Sequence, residues 1–299
     1  KNPLKAMAAP KPECRLVAVD GNGTLLGADG ASISDFTRDV VQQLEAKGIP
    51  VVLATGRPFE KAKATLERCG MRQYVLTENG ARAVRIADST PVWETWLDGG
   101  DVSATLSRIK AALPSARFAQ LTSEGGLVED SHPWLQADAT RAAAEKIFPK
   151  AVPDVVAELK TGYRCAKTYV HIPGSDDFST TMGLVKEAAG TGWEVREIKQ
   201  LLPSMSRTCE VQSSTVNKAD GLRELCKAID VPMQHVWAFG DDANDVRMLS
   251  EVGWGVCMAN HLPALAGVGR DVTDFTNEED GVAKYLHVHL LSGDASPAP

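Results

Sequence analysis

Four short runs of the chain carry side chains that can do chemistry. In order they are Val19-Asp20-Gly21-Asn22-Gly23-Thr24-Leu25, Leu53-Ala54-Thr55-Gly56-Arg57-Pro58, Asn217-Lys218-Ala219-Asp220-Gly221 and Phe239-Gly240-Asp241-Asp242-Ala243-Asn244-Asp245. The first and last set carboxylates beside glycines, a pattern that suits a hard cation or a nucleophilic oxygen. The second and third offer a hydroxyl, glycine N–H groups and an ammonium, which suit an anion. Each run alone has an ordinary explanation, since aspartates cap helices and favour their N-termini and Thr-Gly-Arg is a common turn. Lys218, in the first turn of a predicted helix, is mildly disfavoured by the dipole and so needs another reason to be there. All four in order, each following a predicted strand or opening a predicted helix, form a specific signal.

The elements that position these residues follow from periodicity. Residues 15–19 are a short apolar run ending at Asp20, residues 50–54 end at Thr55, and Tyr74–Thr77 is a third such run. Ser34 can cap a helix that turns Val40, Val41 and Leu44 to one side and stops at Gly48, and Pro58 suits the first turn of the next helix. The last third repeats the rhythm, with helices over 218–229, 242–252 and 281–290 and strands over 235–239 and 254–258. Strands alternating with helices predict an α/β fold with a doubly wound parallel sheet. Ligands of such sheets bind beyond the carboxyl ends of the strands, where Asp20, Thr55 and Asp241 fall.

The middle of the chain has another texture. Asp101 can cap a helix with Val102, Leu106, Ile109 and Leu113 on one stripe. Short strands follow at 116–121 and 127–129, then a half-buried strand at 165–172, a helix over 176–189 and a strand at 193–198. This predicts an inserted α+β domain over 83–208, carrying Trp93, Trp96, Trp134 and Trp193, within a core made of 13–82 and 209–291, with flexible tails at 1–12 and 292–299.

Composition narrows the function classes. The chain has 299 residues, 43% hydrophobic, with a formal net charge of −7. It has no block of Lys or Arg, which argues against a nucleic-acid or anionic-membrane surface. No apolar run reaches membrane-spanning length. The six cysteines show no Cys-x-x-Cys spacing and are expected to be free thiols, and the alternation of His287 and His289 is not a ligand pattern. An intracellular, cytoplasmic location is expected, with import directed by a further N-terminal segment as the other possibility.

The four runs, together with Glu78-Asn79-Gly80-Ala81, Gly255-Val256-Cys257-Met258-Ala259-Asn260 and Thr276-Asn277-Glu278-Glu279-Asp280-Gly281-Val282-Ala283, make the chain resemble the haloacid dehalogenase superfamily in its Cof-like branch. That branch has a Rossmann-like core and a large mobile α/β cap inserted between the second and third runs. The resemblance implies a Mg²⁺-dependent phosphohydrolase acting on small phosphorylated metabolites such as sugar phosphates, nucleotides, flavin mononucleotide or pyridoxal phosphate. It implies Asp20 as nucleophile, and Mg²⁺ held by Asp20, the backbone carbonyl of Asn22 and Asp241, with Asp245 in support. It implies Thr55, Gly56 and Lys218 on the transferring phosphoryl group, with Gly21 and Asn244 as further phosphate contacts. Arg57 would meet substrate or brace its loop, and Asn79 would face the leaving group or simply make a turn.

One residue departs from the pattern. Such phosphohydrolases carry Asp two residues after the nucleophile, as the acid and base that protonates the leaving oxygen and then deprotonates water. Asn22 keeps the shape and the backbone carbonyl but can move no proton, a loss of on the order of 10²–10⁴ in rate. Three readings follow: an engineered or inactivated phosphatase, a natural non-catalytic sensor of a phosphorylated ligand, or a branch with other chemistry. The intact remaining motifs favour the first. A phosphomutase is a further enzymatic alternative.

Overall fold

The computed structural model describes residues 10–174, 177–198 and 207–292. Of the expected tails, all but residues 10–12 and 292 lie outside the described residues, as does Asp176, the expected start of a helix. Among the described residues the strands, in chain order, are β1 (Leu16–Val19), β2 (Val51–Ala54), β3 (Tyr74–Thr77), β4 (Arg82–Arg85), β5 (Thr90–Glu94), β6 (Leu97–Asp98), β7 (Arg117–Thr122), β8 (Gly125–Glu129), β9 (Lys150–Val152), β10 (Arg164–His171), β11 (Trp193–Glu197), β12 (Thr208–Ser213), β13 (Val236–Gly240), β14 (Trp254–Cys257) and β15 (Asp271–Val272). The chain divides into two compact units. The first takes the described residues of Lys1–Gly56, Ala62–Trp93 and Asn217–Pro299, and the second takes Arg57–Lys61 and those of Glu94–Val216.

The first unit holds an eight-stranded sheet in the order β15-β14-β13-β1-β2-β3-β4-β5. It is parallel from β15 through β3, and β4 returns antiparallel to β3. Strand order reverses beside β1, between β13 and β2, so the fold's switch point lies at the carboxyl ends of these strands. Val19 is level with Phe239 on one side and Leu53 on the other. Asp20, the residue after β1, therefore stands level with Gly240 and Ala54, which end β13 and β2. Leu16, Ala18, Val52 and Leu76 face a cluster with Leu222, Leu225, Met248 and Leu249, from the helices Lys218–Ala228 and Val246–Glu251.

The helix Asp35–Ala46 forms as its periodicity predicts. Ser34 Oγ accepts the Thr37 N–H at 2.9 Å, Val40, Val41 and Leu44 are buried, and Gly48 follows its end at φ +78°. Other boundaries shift, for physical reasons. The span 242–252 is a single tight turn, Ala243–Asp245, before the helix Val246–Glu251, because Asp242 and Asp245 cap each other reciprocally. The last helix is α-helical over Gly281–Leu286 and then widens to a π-helical turn, His287–Leu291.

The junctions also fall elsewhere than periodicity suggests. β4 and β5 extend the first sheet, so Trp93 packs against the first unit's core and not within the insert. β12 pairs with β10 and β11 in the second unit. That unit's sheet runs β11-β12-β10-β7-β8-β9, with β6 also on β10. The helix Gly99–Ala112 is capped by Asp98, which accepts the Gly100 N–H at 2.8 Å, while Asp101 sits within the first turn. β10 is buried on both faces, not one: Cys165 and Val170 join the helices in one cluster, and Tyr169 stacks edge-on to Trp134 and Phe148. All six cysteines are free and buried. No helix of the described residues is long and apolar enough to cross a membrane.

The helix that begins at Lys218 rides directly on the Glu78–Gly80 turn. A Cβ on Gly221 would lie 2.4 Å from the Gly80 carbonyl oxygen, and one on Gly80 would lie 2.2 Å from that of Asn217. Gly221→Ala is therefore expected to lower the unfolding free energy by about 1–3 kcal/mol through overpacking. Urea unfolding checks this, and an unchanged midpoint would show that the helix can slide without cost.

Candidate active site

Strand ends deliver the site's side chains. β1 runs into Asp20, β13 into Asp241 and β2 into Thr55, while β3 runs into Glu78 and Asn79, both in the left-handed region at φ +53° and +55°. Asp20, Asp241 and Asp245 each present a carboxylate oxygen, and these oxygens lie within 4.8 Å of one another. Lys218 is fully buried beside them. Its Nζ donates to Asp20 Oδ1 and, at 2.7 Å, to Asp245 Oδ1. Asp245 Oδ2 accepts the backbone N–H groups of Asp241 (3.1 Å) and Asp242 (3.2 Å). Asp241 Oδ1 accepts from the Thr24 hydroxyl at 2.6 Å. Asp245 thus spends both oxygens on orienting Lys218 and the Asp241 turn, while Oδ2 of Asp20 and of Asp241 take no donor among the described hydrogen bonds.

The loop after Asp20 is wound tightly. Leu25 N–H donates to the Asp20 carbonyl at 3.2 Å and Leu26 N–H to that of Gly21 at 2.9 Å. Gly23 turns at φ +77° with its Cα against Asp241, where a Cβ would come 2.2 Å from Asp241 Oδ2, so only glycine fits. The Asn22 side chain is exposed. Thr55 is buried with its hydroxyl toward Gly21, and Asn79 packs over Gly56. Asn244 Nδ2 points to Asn79 Oδ1 at 3.4 Å. The structure thus gathers Asp20, Gly21, Thr55, Gly56, Asn79, Lys218, Asp241, Asn244 and Asp245 in one unit, whereas Arg57 groups with the other. Sequence patterns missed Thr24, Asn260, whose Nδ2 donates to the Gly23 carbonyl at 2.8 Å, and Asn277, which donates to the Leu26 carbonyl at 2.8 Å. All three lie inside quoted runs; what was lacking was a partner.

Burial sets the electrostatics. It pushes Asp20 up to about 7, against the pull of Lys218 and with help from Asp245 and Asp241. It pushes Asp241 up to about 6, with Asp245 adding to it and Thr24 opposing it. For Lys218 burial works against the charge, but Asp20 and Asp245 outweigh it and hold the ammonium above its ordinary range. Three carboxylates against one ammonium leave two negative charges when all are ionised. A divalent hard cation balances that excess, and an all-oxygen donor set suits Mg²⁺.

A pH dependence follows. Protons compete with a cation for Asp20 and Asp241, so apparent Mg²⁺ affinity is expected to fall as pH drops from about 8 to 5, approaching loss of two protons per ion below about pH 6. Both groups have folded values above the unfolded 3.8. The folded state therefore holds protons more tightly, and metal-free stability should decline as pH rises from about 4 to 7, with Mg²⁺ restoring it above that window. Calorimetric titration at several pH values tests this, and a pH-independent Kd would sink it.

A parallel sheet that gathers buried carboxylates and a lysine at its switch point can hold a divalent cation and an anionic group beside the Asp20 carboxylate. A family model described as haloacid dehalogenase-like hydrolase matches residues 17–286, and the chain belongs to that family. It is 26% identical over 284 residues to 5-amino-6-(5-phospho-D-ribitylamino)uracil phosphatase YcsE of Bacillus subtilis, covering 93% of this chain and 97% of that one. It is 28% identical over 301 residues to the HMP-PP phosphatase of Yersinia pseudotuberculosis, covering 95% and 98%. Its fold matches a haloacid dehalogenase-like hydrolase from Bacteroides thetaiotaomicron with a TM-score of 0.73 at 22% identity, over 92% of this chain and 99% of that one. The chain is a phosphatase of this family, a hydrolase of phosphoesters.

Proposed function

We propose that the protein hydrolyses small phosphorylated metabolites through an aspartyl-phosphate on Asp20, with Mg²⁺ as cofactor, and that Asn22 slows the reaction. The observation that supports this best is Lys218, buried between Asp20 and Asp245, which aims one Asp20 carboxylate oxygen and leaves the other without a donor among the described hydrogen bonds. Bound to Asp20, Asp241 and the Asn22 carbonyl, Mg²⁺ would neutralise charge on the ester and polarise it. The Thr55 hydroxyl, the Gly21 and Gly56 N–H groups, Asn244 and the Lys218 ammonium hold the phosphoryl oxygens in line with Asp20. The Asp20 carboxylate forms a bond to phosphorus as the ester P–O bond breaks. With an amide at residue 22, the departing alkoxide takes its proton from solvent. Water then attacks phosphorus, the Asp20 carboxylate leaves, and the proton passes to solvent with phosphate.

The relatives named for a phosphoribitylamino-uracil and for HMP-PP make heterocycle-bearing phosphate esters the first substrates to try. Acid quenching of the Mg²⁺-loaded protein with p-nitrophenyl phosphate, followed by peptide mass mapping, is expected to find a phosphoryl group on Asp20. Undiminished phosphate release by Asp20→Asn would overturn the mechanism.

A further inference from the structure

Two of the quoted runs, Gly255 to Asn260 and Thr276 to Ala283, carry no group that the proposed reaction uses. The structure brings them together on the loop that follows Asp20. Asn260 Nδ2 donates to the Gly23 carbonyl at 2.8 Å, and its Oδ1 accepts the Asn277 backbone N–H at 3.1 Å. Asn277 Nδ2 donates to the Leu26 carbonyl at 2.8 Å and to Glu278 Oε1 at 3.2 Å. Glu278 Oε1 in turn accepts the Ala28 N–H. Asp280 Oδ1 accepts from the hydroxyls of Ser34 at 2.7 Å and Thr37 at 2.8 Å. One short turn, itself locked by reciprocal capping of Thr276 and Glu279, therefore grips the chain at 26, 28, 34 and 37.

Asn260 joins this grip to the acidic cluster. Its neighbours are tied to the end of β13: Met258 N–H donates to the Gly240 carbonyl at 3.1 Å and Leu262 N–H to the Asp241 carbonyl at 2.8 Å. Asn260 thus links the strand end bearing Asp241 to the loop bearing Asp20 and Asn22. That loop needs an external tie, because Gly21, Gly23 and Gly27 leave its backbone permissive. The Gly23 and Leu26 carbonyls would otherwise lack these side-chain donors, and partly buried carbonyls are costly to leave unpaired. Asparagine is the side chain that can accept from Asn277 and donate to Gly23 together. Aspartate accepts but cannot donate.

We propose that Asn260 and Asn277 are positioning residues, a two-amide clasp that holds the Gly21–Gly27 loop in the conformation that offers the Asn22 carbonyl and Asp20 to Mg²⁺. The second half of this statement rests on the proposed function; the first does not. The test uses the full chain with Asn260→Asp, Asn260→Ala, Asn277→Ala and the double alanine variant. Hydrogen exchange over 20–28 is read in the metal-free protein, and affinity is read by calorimetry with Mg²⁺ alone. Each single variant is expected to speed exchange there by roughly 2- to 12-fold, the opening that loss of one such bond allows, and to weaken Mg²⁺ binding by a similar factor.

Asn260→Asp should fail although it keeps size and shape, and the double variant should be little worse than the worse single one, as one chain of bonds requires. Leu106→Ala, a core truncation in the second unit, shows what lost stability alone does to both readouts. Unchanged exchange over 20–28 in Asn260→Asp and Asn277→Ala overturns the clasp, as does a change no larger than that of Leu106→Ala. A parent protein that binds no Mg²⁺ counts against the metal reading, while exchange still decides the clasp.

Discussion

Asn22→Asp is expected to raise phosphate release from the best ester by about 10²–10⁴-fold, the usual contribution of a positioned acid and base. The rest of the site is in place for it. Asp20, Lys218, Asp241 and Asp245 already interlock, and Asn22 carries its side chain on the exposed side of the loop. A carboxylate there has nearly the same shape as the amide and meets solvent, so adding a charge near the cluster is screened and should cost little stability. The gain should appear in kcat more than in KM, because proton transfer matters in the transition state and not in binding. It should also introduce an acidic limb in the pH–rate profile, which the Asn22 protein lacks for that group. Steady-state assays across a panel of phosphate esters measure all three. If the variant binds Mg²⁺ and an ester tightly but releases no phosphate from any of them, the protein is a sensor. Transfer of the phosphoryl group to a second organic acceptor would instead identify a mutase.

Lys218→Met should be the most destabilising single change at the site, by about 3–5 kcal/mol at neutral pH. The ammonium is fully buried and bonds two carboxylates that are themselves buried. Methionine fills much of the same volume, so the cost is electrostatic and not a cavity. The sign of its pH dependence tests that statement. Without Lys218 the Asp20 value rises beyond its present position near 7, and a carboxyl whose folded value exceeds its unfolded one loses stability as pH climbs through that interval. The difference between variant and parent should therefore be largest near pH 8 and smaller near pH 5, where Asp20 is protonated in both and the bond to Asp245 is what the variant loses. Mg²⁺ should recover part of it at high pH by supplying the missing positive charge. Urea unfolding at both pH values, with and without Mg²⁺, is the measurement. Equal losses at pH 5 and pH 8 would mean that the bond to Asp20 contributes little to stability beside the bond to Asp245 and packing. Phosphate release should fall together with stability, since the same ammonium would neutralise the phosphoryl group.

Much of this was open to reading from the chain alone. Apolar runs of four or five residues that end on Asp20, Thr55 and Asp241 announce strands, because side-chain period and turn chemistry are local properties. The Ser34 cap and the stripe of Val40, Val41 and Leu44 are local in the same sense. So is the family resemblance, which rests on short contiguous runs. Where local rules failed, a distant partner decided. Asp98 caps the helix that Asp101 was expected to cap, since the chain enters from β6 pairing with β10. The expected helix from 242 gives way to a tight turn because Asp245 bends back to its own backbone. Trp93 joins the first unit because β5 continues that unit's sheet.

Sequence by itself therefore determined which residue types stand at Asp20, Asn22, Thr55, Lys218 and Asp241, and that each lies at the edge of a strand or helix. Only the tertiary structure decided how they act on one another. The Lys218–Asp20 bond spans 198 residues and the Asn260–Gly23 bond 237, and both depend on the register of parallel strands. Burial does the rest: the same aspartate that ionises near 3.8 in a free chain is held near 7 once the sheet and its neighbours have taken water away.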